Sequence, residues 1–195
     1  MGIKRVVNVD FWNDDIVAEK YTPEDRYFLL YLLTNPNTKQ CGIYHLPIRT
    51  IAFETGYGEE QVNNLLDKFQ NEYKNIIYSR KTNEIAILNF LKHSIVKGGK
   101  PVEDCLRKEL EEVKDKILIQ KVYEHIIDYM DLQINLKAKN GSKSMYVGIK
   151  NVLNDILDIN NNEVIEFIGK KIANYKNYEQ RKDTDFAKFY ANIEK

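Results

Sequence analysis

The chain has two cysteines, four prolines and nine glycines in 195 residues, and it carries no net charge. Cys41 and Cys105 lie far apart and form no C-x-x-C pair, which excludes a secreted-type disulfide framework and makes a reducing compartment the expectation. No stretch approaches the roughly 18 apolar residues that a membrane-spanning helix needs, and the first residues lack the apolar core of a signal peptide. A soluble, cytoplasmic protein without a membrane role is expected. Lys+Arg and Asp+Glu both total 29, so no strong basic field marks the whole chain as a nucleic-acid binder, and any such role must rest on local patches.

Constellations that carry chemistry are also missing. His45, His93 and His125 have no metal-ligand spacing to one another or to the cysteines. Gly98-Gly99-Lys100 superficially matches a phosphate loop, but Ser94 stands where its first glycine belongs and Pro101 replaces the Ser/Thr. Glu103-Asp104, Glu109, Glu111 and Glu112 form a charged helix face with no partner for general acid–base work. The chain is therefore expected not to be an enzyme, with no cofactor and no metal.

What is present is an ordinary globular composition, 43% hydrophobic and 30% charged, of a length that suits one sizeable domain or two small ones. Val6, Val7 and Val9 alternate weakly, and Asn13 is positioned to cap a short helix through Lys20. Thr22 as N-cap, Pro23 at the first helical position and the acids that follow start a helix rich in apolar residues, ended by Asn35-Pro36-Asn37. Ile43-Tyr44 reads as a strand. Ile48 to Thr55 reads as a short helix closed by Gly56, and Glu59 to about Tyr73 as a second helix. Val62, Leu65, Leu66 and Phe69 give that second helix one inward stripe. Ile76-Ile77-Tyr78 and Ile85 to Leu88 are strand-like around the polar turn Arg80-Lys81-Thr82-Asn83.

This order of helix, strand, helix, turn, helix and hairpin predicts a mainly α fold. Its parts are an N-terminal winged helix-turn-helix over 1–97 with a small β-hairpin wing, a linker at 98–101, and a helical C-terminal domain over 102–195. In that domain Leu106, Leu110, Val113 and Ile117 keep helical spacing, as do Ile119, Val122, Ile126 and Met130. They make either an intramolecular core or a dimer seam. Gln133 to Ser144 reads as a polar loop, with further helices over Met145–Leu157 and Asn162–Tyr175.

With the apolar stripe turned inward, Glu60, Asn64, Asp67 and Asn71 of the second helix face outward, with Gln61, Asn63 and Lys68 on the flanks. Asn and Gln pair in two-point fashion with adenine, and Lys contacts guanine or phosphate. Gln61, Asn63, Asn64 and Lys68 are thus candidate DNA contacts for the docking geometry of a helix-turn-helix. The acids on that face oppose phosphate, and the competing reading is a solvated face in a protein-interaction module. Arg80 and Lys81 at the hairpin tip are candidate phosphate contacts, extended by Lys92. Lys170, Lys171, Lys176, Arg181 and Lys182, interleaved with Tyr175, Tyr178, Phe186, Phe189 and Tyr190, raise single-stranded DNA as a ligand of the C-terminal region, against a packing role for the aromatics.

Thr22-Pro23-Glu24-Asp25-Arg26-Tyr27-Phe28, Leu30 to Pro36, Gln40 to Tyr44 and Phe53-Glu54-Thr55-Gly56-Tyr57 resemble the N-terminal winged helix of DnaD-like replisome organisers of Gram-positive phages and prophages. The similarity continues through Gly98 to Val102 and Lys108-Glu109-Leu110. The resemblance implies duplex DNA binding in replication initiation, homo-oligomerisation, and recruitment of a helicase loader or replicative helicase. It departs at the C-terminus, where Asp183-Thr184-Asp185-Phe186 and Phe189-Tyr190 replace the family's Trp-centred motif. A winged-helix transcriptional regulator and a winged helix used for protein interaction are the alternatives.

Overall fold

The computed structural model describes residues 5–95, 97–139 and 144–157. Asn8 caps a 3-10 turn over Val9–Asn13, and Asp14, not Asn13, caps α1 (Asp15–Glu19) by accepting from the Ile16 and Val17 amides. α2 (Pro23–Thr34) starts where Thr22 and Asp25 close a capping box, each side chain accepting from the other's backbone N–H. β1 (Ile43–His45), α3 (Ile48–Thr55) and α4 (Glu59–Asn71) follow, then the hairpin β2 (Ile76–Ser79) and β3 (Glu84–Ile87). The strands form one antiparallel sheet in the order β1-β3-β2, with Ile43 opposite Ala86 and Ile76 opposite Ile87. This is a mainly α fold built on a winged helix-turn-helix with a small β wing.

The turn between α3 and α4 depends on Gly56, whose φ of 77° is left-handed while its N–H still bonds the Ala52 carbonyl. From there α4 runs with Val62, Leu65, Leu66 and Phe69 all buried, each contributing about 1.5–3 kcal/mol of burial. Phe69 sits among three aromatic rings, with centroids 5.4 Å from Phe28 of α2, 5.4 Å from Tyr21 just before α2 and 5.1 Å from Tyr73 just after α4. That cluster sets the rotation of α4 about its axis, and so decides which residues face outward.

α5 (Phe90–Ser94), α6 (Lys100–Glu111), α7 (Lys116–Lys139) and α8 (Met145–Leu157) complete the described chain. The expected linker at 98–101 is structured: Gly99 precedes α6, and Lys100 and Pro101 form its first turn. Gly98 is needed for close packing, since a Cβ there would lie 2.5 Å from the Met145 Cβ. Leu106, Leu110, Ile119, Val122, Ile126 and Met130 are buried within the single chain, so they make an intramolecular core. Ile117 does not join them and is 62% exposed. The break between α6 and α7 resets the helical phase just before it. α7 also runs into the expected polar loop as far as Lys139, because Gln133, Leu136, Lys137 and Ala138 are good helix formers. The expected helix over Asn162–Tyr175 and the basic and aromatic positions from Lys170 to Tyr190 lie outside the described residues. No described helix is long and apolar enough to cross a membrane.

Candidate nucleic-acid interface

The core packing leaves Glu60, Asn64, Asp67 and Asn71 exposed on α4, as the period predicts. The hairpin bends its tip toward this face. Arg80 donates from Nη1 to Asn63 Oδ1 at 2.5 Å and from Nη2 to Asp67 Oδ1 at 3.0 Å. The wing and the outward face of α4 are therefore one continuous surface, and Asn63 further donates to the Glu59 carbonyl at 2.8 Å. Asn83, at φ 53°, closes the turn in a left-handed conformation that asparagine tolerates well. Lys81 is exposed in the same turn and makes no ion pair among the described residues. Gln61, at the start of α4, turns toward α2 and donates to Glu24.

Two candidate contacts are placed away from this surface. Lys68 points inward and bridges Asp25 at 2.7 Å, where Tyr73 also donates to Asp25 Oδ2 at 2.9 Å. Asp25 is 1% exposed. Burial raises its carboxyl, but the Lys68 pair and the bonds from Thr22 and Tyr73 outweigh that and hold it below the ordinary carboxylate range. Lys68 in turn is held above its ordinary value by the hydrogen bonds to Asp25 and Tyr73. Its ammonium ties α4 to α2 and is not offered to a phosphate. Lys92 lies on α5 with its Nζ 4.7 Å from the Tyr129 ring centroid, and its carbonyl accepts from Tyr146. It therefore faces α7 and α8, so it does not extend the wing.

A contribution that the sequence reading missed is Glu84, 4% exposed at the base of the wing. Its carboxylate accepts from the Lys114 and Asp115 amides, each at 2.9 Å, and from the Thr82 hydroxyl at 2.8 Å. Asp115 accepts from Ser79 Oγ at 2.7 Å and from the Ile117 amide at 3.2 Å. Both ends of the hairpin turn are thus anchored to the start of α7. A charged residue opening an otherwise apolar strand was the available signal.

Other reactive groups are placed as structural parts. Burial pushes the Cys41 thiol up to about 12, so it stays protonated at neutral pH. Its amide donates to Glu109 of α6 at 2.8 Å. Lys150 of α8 pairs with Asp131 of α7 at 2.5 Å. His45, His93 and His125 lie apart on β1, α5 and α7.

The order α2-β1-α3-α4-β2-β3 defines a winged-helix protein. Comparison with protein-family models, curated proteins and solved structures gives no match to this chain.

Proposed function

We propose that this chain is a phage or prophage replication-initiation accessory protein of the replisome-organiser kind. Its winged helix holds duplex DNA, and its helical region serves self-association or the recruitment of a helicase loader or replicative helicase. The activity is positioning, with no bond made or broken. The observation that carries the DNA part is the continuous surface made by the wing tip and α4, joined through Arg80, Asn63 and Asp67. Lys81 stands beside it, and the polar Asn64 lies between the acids. The replication part is supported by the resemblance of residues 22–57 and 98–110 to DnaD-like organisers.

Glu59 and Glu60 occupy the first turn of α4, the turn that usually enters the major groove. Carboxylates there resist close approach of phosphates. DNA is therefore held chiefly by backbone contacts from the wing, which position the protein and read little sequence. Titrating a labelled duplex across a salt series tests this. The double substitution Arg80→Ala, Lys81→Ala is expected to weaken binding uniformly across sequences and to reduce the salt slope by about two. Unchanged affinity with no slope against salt would remove the wing from the interface.

A further inference from the structure

A cavity of about 240 Å³ lies between β1, the start of β3 and the corner where α6 gives way to α7. Buried Ile43 and Val113 give it an apolar wall. His45 and Glu84 also line it, and they are cross-strand partners, so their side chains rise from the same side of the sheet. Its walls thus come from the winged helix on one side and from the lead into the long helix α7 on the other.

Four charged residues line the cavity, and three of them already have partners. Glu112 holds Lys39 at 2.6 Å. Glu84 accepts from the Lys114 and Asp115 amides and from the Thr82 hydroxyl. The fourth is Lys114, which is exposed and whose ammonium has no partner among the described residues. The side chains of Asn37 and His45 line the same cavity and also have no partner among the described residues. The groups left over are therefore one cation and two side chains able to donate a hydrogen bond, a set that favours an anion. A metal ion is not the fitting ligand, because no three His, Cys, Asp or Glu side chains among the described residues are grouped to hold one.

Size and charge narrow the class further. The volume is below the roughly 300–1,000 Å³ of sites for drug-sized ligands, which excludes a nucleotide. A doubly charged phosphate has one unpaired cation to meet and two carboxylates in the walls to oppose it. A monoanion with a compact apolar body matches both the free ammonium and the Ile43–Val113 wall. The Lys39–Glu112 pair shows that a lysine of this cavity already holds a carboxylate.

We propose that the cavity binds a small organic monocarboxylate, with its carboxylate on Lys114, Asn37 and His45 and its apolar body against Ile43 and Val113. None of these residues belongs to the wing-tip and α4 surface offered to DNA, so the site stands whether or not the wing binds a duplex.

The test titrates the full chain, labelled with ¹⁵N, with benzoate at constant ionic strength and follows the amide resonances. Saturable shifts are expected at residues 37–45 and 112–115, with a dissociation constant of about 1 mM or tighter. Benzylamine, which has a similar body and the opposite charge, should cause none. Inorganic phosphate should cause weaker shifts there than benzoate does. Lys114→Met should weaken benzoate binding about threefold to fivefold, the worth of an exposed ion pair, and Lys114→Arg should restore it. Because the amide of residue 114 is what meets Glu84, both substitutions leave that anchor in place. Glu112→Gln frees Lys39 and should tighten binding by up to about fivefold. Lys137→Met, near the far end of α7, should change nothing. Non-saturating shifts, shifts centred elsewhere, equal shifts from benzylamine or phosphate, or indifference to Lys114→Met would overturn the proposal.

Discussion

Lys68 and Arg80 are both cations beside α4, yet the fold uses them in opposite ways. Lys68 is tied to a carboxylate that is almost wholly buried, so its loss would leave Asp25 charged and short of partners. Lys68→Ala is expected to cost about 2–4 kcal/mol, toward the lower part of the range for a broken buried pair because Lys68 keeps some solvent. Chemical denaturation at neutral pH measures it. The folded carboxyl is depressed and the folded ammonium raised. The pair therefore stabilises fully between the unfolded values, from about pH 4 to about pH 10. Its contribution is lost as pH falls through the folded Asp25 value, or as pH rises through that of Lys68. The wild type minus Lys68→Ala difference should shrink on acidification below about pH 4, and a difference that grows there would contradict the assignment. Arg80, by contrast, is exposed and paired with Asp67, and the proposed DNA contact requires it to exchange that partner for a phosphate. Asp67→Asn removes the competitor and a repelling charge. It should raise duplex affinity by about fivefold or less at low salt, in line with about 1 kcal/mol for unit charges in water at contact distance. Lower affinity would mean that Asp67 holds Arg80 in its binding pose.

Among the elements, those with chemical signals at both ends were legible from sequence. Pro47 and Gly56 bracket α3, and the observed Ile48–Thr55 matches the expected range. The outward face of α4 follows from a clean apolar stripe. Less was legible where an element takes its partner from far along the chain. Lys68 reads as a flank residue because Asp25 lies 43 positions earlier, and only the packing of α2 against α4 brings them together. The wing anchor is of the same kind, since Glu84 meets Lys114 and Asp115 some 30 positions later. Glu84→Ala leaves both amides without that acceptor and should cost about 1–3 kcal/mol. Amides 114–118 should then exchange faster with solvent. Glu84→Gln keeps one oxygen acceptor and should lose less. If the alanine variant leaves exchange at 114–118 unchanged, Glu84 does not hold the start of α7.

At the scale of the described chain, the expected division at 98–101 runs through a region where the packing is continuous. Gly98 abuts Met145 of α8. Glu109 of α6 accepts from the Cys41 amide beside β1, and Glu112 pairs with Lys39 at 2.6 Å. Glu84 and Ser79 hold the α6–α7 corner from the hairpin. Hydrogen bonds of this kind span the two halves where a flexible tether would have none, and residues 1–157 group as one compact unit. A composition rich in Gly, Lys and Pro marks a linker and a glycine-capped helix start alike, so sequence did not separate them. One unit implies one opening event for the most protected amides. In native-state hydrogen exchange, Ile85 and Ile87 of β3 should therefore share a limiting free energy with Val122 and Ile126 of α7, and all four should shift together in Glu84→Ala. If the α7 amides open at a distinctly lower free energy while β3 stays protected, the helices form a separate cooperative unit. The contacts from Glu84, Glu109 and Glu112 would then be surface attachments.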